Sequence, residues 1–234
     1  MAIERRPVLA LDSSVGGGSV AVGQGGRARV DHAIPGGRGA SSLLLPAVDA
    51  AVRGAGLAPD GLGAIAVGGG PGSFTGLRIA AATAKALARS LDLPLFAFSG
   101  LLATAALHRA AGRPVCALFD ARNREVFAGC WRFEGDAVAA LLPPTATAVA
   151  EVLTALAGEA PLFTGDGAAL HRAEIEAAFG AGSVAEDGDG SPAAGLLWLA
   201  HAVPELGRVA DPAAWEPDYL RASGAERIAA AREG

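Results

Sequence analysis

The run Gly68-Gly69-Gly70-Pro71-Gly72-Ser73-Phe74-Thr75-Gly76-Leu77-Arg78 holds the residue types in this chain best suited to chemistry. It stands between an apolar strand at 64–67 and an Ala-rich helix at 75–91. Glycine reaches backbone angles that other residues avoid, so the main chain can turn sharply here and come close to something. That something is either a phosphate at the helix N-terminus or another element of the protein. The spacing fits neither common phosphate loop. A Walker loop needs a Lys after its last glycine, but Leu77 follows Gly76, and the only lysine, Lys85, lies well down the helix. In a dinucleotide fingerprint Thr75 would stand at the third glycine, and the acid nearest the required distance, Asp92, falls in a helix-to-strand loop. Gly72, Ser73 and Thr75 remain candidate contacts for a nucleotide or anion.

Other chemistries find less support. His32, His108, His171 and His201 are scattered, with no H-x-x-x-H or H-E-x-x-H spacing, so no metal ligand is assigned and a metallopeptidase is disfavoured. No G-x-S-x-G surrounds any serine, and no catalytic residue is assigned. Cys116 and Cys130 lie symmetrically about Asn123 in a predicted hairpin, where they can face each other as buried free thiols. No secretory leader is visible at 1–7 and no run reaches the length of a membrane span, so a reduced cytoplasmic setting without a membrane partner is expected.

The chain is 51% hydrophobic and 18% charged over 234 residues, enough to bury a core, and its few aromatics make that core aliphatic. Residues 1–100 carry a net charge of +3 and residues 101–234 carry -8. The acidic second half argues against a large nucleic-acid surface there, so any RNA contact is expected mostly through another chain.

The elements that would position these residues come in two similar series. The first half reads as strands at 7–12, 18–22 and 27–33, a helix at 41–54, a strand at 63–67, a helix at 75–91, a strand at 95–98 and a helix at 100–111. The second half repeats the order. A hairpin pairs 115–120 with 125–133, and a third strand at 136–142 ends at Pro143-Pro144. A helix at 146–156, a strand at 161–164 and a helix at 168–179 follow, then a short strand at 183–185, an acidic loop at 186–191 and a helix at 192–201. Gly165-Asp166-Gly167 is the second half's counterpart of the glycine-rich run. This order implies an α/β fold of two duplicated actin/Hsp70-like (ribonuclease H-like, ASKHA) domains. Each is a mixed sheet with an antiparallel hairpin edge and flanking helices, over 1–100 and 101–234, with the C-terminal segment packing back on the first.

In such an architecture the turn after the first strand of each half faces nucleotide phosphates. Asp12-Ser13-Ser14 and Asp120-Ala121-Arg122 occupy those turns. Asp12, Ser13 and Ser14 therefore join the candidate nucleotide contacts. An ATP-dependent phosphotransferase would need an acid and a glycine in the second turn. Asp120 is there, the glycine is not, and Arg122 crowds the phosphate position.

Three segments together resemble the TsaB family of bacterial tRNA threonylcarbamoyladenosine proteins: LALDSSVGGGSVAV (9–22), GGPGSFTGLRIAAATAKALA (69–88) and LFDARNREVF (118–127). Leu44-Leu45-Pro46, Phe163-Thr164-Gly165-Asp166-Gly167-Ala168 and Pro217-Asp218-Tyr219-Leu220-Arg221 extend the match along most of the chain. The resemblance implies a non-catalytic partner that shares the fold of the catalytic subunit TsaD, lacks its metal-binding histidine pair and docks on it through the two helices of the first half. The ATPase TsaE joins the pair. The complex transfers threonylcarbamoyl from its adenylate to the adenosine beside the anticodon, so ATP and magnesium belong to the complex and no cofactor is intrinsic. Ala40 stands where family members often carry a His.

Small-residue stripes on those two helices agree with docking. Leu44, Val48, Ala51 and Val52 on the first, with Leu77, Ala80, Ala81, Ala84, Leu87 and Ala88 on the second, are expected to meet TsaD, or a second copy when the chain is free. Ala84→Arg is expected to break that pairing.

Overall fold

The computed structural model describes residues 6–37, 40–186 and 190–220. The strands β1 (Val8–Asp12), β2 (Gly18–Gln24), β3 (Arg27–Ile34), β4 (Ala64–Gly68) and β5 (Leu95–Phe98) form one sheet in the order β3-β2-β1-β4-β5. Its β1–β2–β3 edge is antiparallel, whereas β1, β4 and β5 run parallel. The second sheet, in the order β8-β7-β6-β9, repeats the pattern with β6 (Val115–Asp120), β7 (Glu125–Glu134), β8 (Ala137–Ala148) and β9 (Leu162–Thr164). Val184 bridges Phe163 in parallel at the place β5 holds in the first sheet. Fully buried β1 and β4 read as continuous apolar runs because helices cover both faces.

The outer face of the first sheet is covered by α1 (Leu44–Gly54) and α2 (Phe74–Ser90), preceded by a 3-10 turn at Ala40–Leu43. Pro46 falls in the first turn of α1, where its missing N–H costs no helix bond. Ser73 caps α2, its hydroxyl accepting from the Gly76 amide at 3.3 Å. The outer face of the second sheet is covered by α4 (Val149–Ala155), α5 (Asp166–Leu170) and α6 (Arg172–Phe179).

Between the sheets lie α3 (Gly100–Ala106) and α7 (Pro192–Ala202), packed on each other. They are exchanged: α3 packs on β6 and β7 of the second sheet, and α7 on β1, β2 and β4 of the first. One apolar cluster therefore joins both halves, with Ala10 and Phe98 beside Leu101, Phe119, Trp131, Leu196 and Trp198. Beyond the short α8 (Pro204–Gly207) the chain returns to the first sheet. The Val209 amide donates to the Leu95 carbonyl at 3.0 Å, and Trp215 packs against the core beneath α2. Lys85 Nζ donates to the Trp215 carbonyl at 2.7 Å, and the Asp218 amide to the Gly69 carbonyl at 2.8 Å.

Three elements depart from expectation. β8 does not stop at Leu142 but runs through Pro143-Pro144 to Ala148, and α4 starts at Val149 rather than 146. β8 is an edge strand, where a residue without an N–H is tolerated, and register shifts between Ala128 and Trp131 absorb the extra residues. The helix expected to 111 ends at Ala106, followed by a 3-10 turn at Arg109–Ala111. The helix expected over 168–179 is two helices meeting at His171, which terminates α5 and opens α6. Cys116 and Cys130 are cross-strand partners, both fully buried free thiols, and burial with the neighbouring thiol pushes the Cys116 pKa well above its ordinary value. Part of the acidic loop (187–189), Gly39 and Arg221 lie outside the described residues.

Candidate functional site

The ends of β1 and β6 face a cleft between the two halves of about 640 Å³. One wall is Ser14, Val15 and Gly16 with Pro71 to Thr75, and the other is Phe119 to Arg122 with Phe127 and Asp166. Asp218, Tyr219 and Leu220 of the returning C-terminal segment complete the rim. Of the residues expected to meet a nucleotide or anion, Ser14, Gly72, Ser73 and Thr75 reach this cleft, whereas Asp12 and Ser13 do not line it.

The glycine-rich run approaches the protein's own chain. A Cβ on Gly68 would stand 1.7 Å from Asp12 Oδ2, and one on Gly76 1.8 Å from the Ser13 carbonyl oxygen. A Cβ on Gly72 would meet the Ser14 carbonyl oxygen at 2.4 Å, and one on Gly70 the Asp218 carbonyl oxygen at 2.5 Å. Gly70 also sits at φ +114°, a conformation side chains disfavour. The contacts are sealed by hydrogen bonds: Ser13 Oγ donates to the Gly76 carbonyl at 2.7 Å, and the Ser73 amide to the Ser14 carbonyl at 2.7 Å. These four glycines thus stitch the glycine-rich run to the first turn and to the C-terminal segment.

Asp12 is sealed beneath that stitching. Its Oδ1 accepts from the Ser14 amide at 2.9 Å and the Ser14 hydroxyl at 2.7 Å, while Oδ2 is buried without a partner among the described residues. Burial holds its pKa above the ordinary carboxylate value, against the lowering effect of the two Ser14 bonds. Across the cleft, Asp166 is raised by burial and by the neighbouring charge of Asp120, although its Oδ1 accepts from the Asp120 and Gly167 amides at 3.2 and 2.9 Å. Among the described residues three carboxylates, Asp120, Asp166 and Asp218, line the cleft with one guanidinium, Arg122, and this balance disfavours a polyanion. Arg122, Asn123 and Arg124 at the hairpin tip all adopt positive φ. Among the described residues no group of three or more His, Cys, Asp or Glu side chains is placed to hold a metal ion, and no helix is long and apolar enough to cross a membrane.

The helix stripes expected to face a partner face inward instead. Leu44, Val48, Ala51 and Val52 of α1 and Leu77, Ala80, Ala81, Ala84 and Ala88 of α2 are buried in the chain's own core. Of the ten residues only Leu87 stays partly open. Helical periodicity marks the buried face without saying what buries it, and here it is mainly the sheet beneath. Ala84→Arg would therefore disrupt folding. The outward surface is different: Leu43 is 47% exposed and Leu45 59%. Between α1 and α2 runs an apolar groove of about 480 Å³, where Leu45, Leu57, Leu87 and Leu91 flank the partly accessible edges of Val48 and Val52. Leu44 is buried and its neighbour Leu45 exposed, and an apolar residue beside the buried stripe is the signal in the sequence for this surface.

Comparison with known proteins points one way. The model of the TsaD family, described as tRNA N6-adenosine threonylcarbamoyltransferase, matches residues 32–185. The tRNA threonylcarbamoyladenosine biosynthesis protein TsaB of Bacillus subtilis (strain 168) is 33% identical over 189 residues, which cover 80% of this chain and 81% of that protein. TsaB of Haemophilus influenzae is 38% identical over 125 residues, 51% of either chain. A solved structure described as an uncharacterized protein with similarity to peptidase YeaZ, from Pseudomonas aeruginosa, is 28% identical with a TM-score of 0.77, covering 92% of this chain and all of that one. YeaZ from Pseudomonas aeruginosa gives 27% identity and a TM-score of 0.67 over the same shares.

Proposed function

This chain belongs to the TsaB family, and from that premise we propose that it serves threonylcarbamoyladenosine formation in tRNA as a non-catalytic subunit that docks on TsaD. The groove between α1 and α2 carries the reading. Its exposed rim residue Leu45 and the apolar side chains of Leu57, Leu87 and Leu91 offer a seat for a partner's helices. A stable docking buries about 1,600 Å² in total, which needs the α1–α2 surface as a whole. TsaE joins through the complex, tRNA is reached through TsaD, and ATP and magnesium enter with those partners rather than with this chain. The free chain closes the same groove against a second copy.

The decisive experiment is co-purification with TsaD from the same organism. Leu45→Arg places a charge on the groove rim without touching the core, so it is expected to fold with wild-type stability and to lose TsaD. Retention of TsaD by folded Leu45→Arg at wild-type yield would sink the docking assignment.

A further inference from the structure

Cys116 and Cys130 stand directly opposite each other on β6 and β7. The main-chain groups of successive residues in a strand point to opposite edges. The Leu162 amide donates to the Pro114 carbonyl at 2.8 Å, so even-numbered residues of β6 turn their main-chain groups towards β9. Past the other end of β6 the Ala121 amide donates to the Glu125 carbonyl at 3.0 Å, so odd-numbered residues bond towards β7. Cys116 and Cys130 are therefore a non-hydrogen-bonded cross-strand pair. Such pairs bring their Cα atoms to about 4.5 Å and their side chains closer than bonded pairs do. That spacing lies within the range of about 4.4–6.8 Å that a disulfide spans. The two thiols already share a hydrogen bond.

The surroundings shut this pair off from solvent. Both side chains are fully buried in the cluster on the outer face of the second sheet, among Leu118, Val126, Val152 and Phe163. Thiol–disulfide exchange needs a thiolate that can be reached. Burial and the neighbouring thiol hold Cys116 as the thiol. A small oxidant therefore meets a nucleophile only when the β6–β7 hairpin opens. A reductant would meet a closed bridge only then too.

We propose that Cys116 and Cys130 are a redox staple: a small disulfide such as oxidised glutathione closes them into a cross-strand disulfide while the hairpin is open, and the folded chain keeps the state in which it closed. The first cysteine thiolate attacks the small disulfide, forms a mixed disulfide and releases one thiolate. The second cysteine, deprotonated in turn, attacks the protein sulfur of the mixed disulfide and releases the other. Two protein thiols are oxidised, one small disulfide is reduced to two thiols, and the two protons pass to them. The bridge closes a ring of about 15 residues, among them Phe119 to Arg122 and Phe127 of the cleft wall. It constrains the unfolded chain while the folded strands already meet its spacing, so it stabilises the fold. The pair lies wholly in the second half, so this inference does not depend on docking to TsaD.

The test treats the full chain with oxidised glutathione in buffer and in urea just below the unfolding midpoint. Free thiols are then trapped by alkylation, and bridges are located by peptide mapping without reduction. Oxidation is expected to run at least about tenfold faster in the urea, where the open hairpin is more populated, and to give a Cys116–Cys130 bridge within one chain. The Tm of the bridged chain should rise by about 4 °C or more, and dithiothreitol in the same urea should restore the original value. Cys130→Ala should give only a glutathione adduct at Cys116. A rate indifferent to urea would show that the thiols are reached in the folded state. Bridges between chains, adducts that never resolve into a bridge, or a lower Tm of the bridged chain would show that the pair does not fit a disulfide. Each of these results, or no oxidation at all, would overturn the proposal.

Discussion

Asp12 and Asp120 stand at equivalent ends of β1 and β6, and each accepts a hydrogen bond from the amide two residues on, Ser14 at 2.9 Å and Arg122 at 2.7 Å. The same local turn serves opposite ends. Asp12 is 1% exposed, its Oδ2 without a partner among the described residues, whereas Asp120 stands open on the cleft wall. Duplication kept the backbone geometry, and the glycines around Asp12 closed only one copy.

The raised pKa of Asp12 makes stability depend on pH in a stated direction. The fold favours the protonated acid, so this contribution is complete below the unfolded value and is lost as pH rises through the raised folded value. Asp12→Asn keeps the oxygen that accepts from Ser14 and removes the titration. The Tm of Asp12→Asn minus that of wild type should grow as pH climbs above the ordinary carboxylate value, then level off. Thermal unfolding from pH 4 to 8 checks this, and a pH-independent difference would count against a buried, titrating Asp12.

Gly68→Ala should destabilise through the same carboxyl group. The new methyl group would fall 1.7 Å from Asp12 Oδ2, and overpacking of this kind typically costs about 1–3 kcal/mol. Asp12→Ala in the same chain removes the obstacle. The double variant should therefore be more stable than the sum of the two single losses implies, a coupling that urea denaturation can measure. Simple additivity would show that the two residues do not collide.

Lys85 fastens the C-terminal segment. Lys85→Met removes the bond to the Trp215 carbonyl and the 3.4 Å pair with Glu216. Glu216 is exposed and its pair adds little, so the carbonyl bond should dominate a loss of about 1 kcal/mol. Faster exchange at the Asp218 amide, which holds the Gly69 carbonyl, is the local readout. Unchanged exchange there would mean that Trp215 packing alone fixes the segment.

Calorimetry with magnesium-ATP separates the docking subunit from an actin-like phosphotransferase. Three carboxylates against one arginine among the described residues of the cleft lead us to expect no saturable heat up to about 1 mM nucleotide, a binding energy near -4 kcal/mol. Tighter binding that disappears in Arg122→Ala would favour the phosphotransferase.

The sequence made the strand–turn–helix around Gly68–Arg78 legible, because an apolar run, a glycine-rich turn and a 3.6-residue stripe follow one another there. It made β8 hard to end, because Pro143-Pro144 stops a central strand but not an edge strand. The α1 and α2 stripes have a legible period but no legible neighbour, since Val48 or Ala84 has the same pattern whether a sheet or a partner covers it. Trp215 and Asp218 belong to no periodic element, and only their long-range contacts with Lys85 and Gly69 give them a place. The turn at Asp12 suits a ligand contact, and the glycines that bury it come from a segment more than fifty residues away.

The exchange of α3 and α7 between the sheets gives the chain the logic of a protein in two complementary pieces. A cut in the segment 107–114, between α3 and β6, would leave one fragment displaying a helix made for the other's sheet and the second displaying the reverse. Neither fragment should fold alone. Mixed together, each should supply the missing surface of the other and rebuild the native assembly without a covalent link.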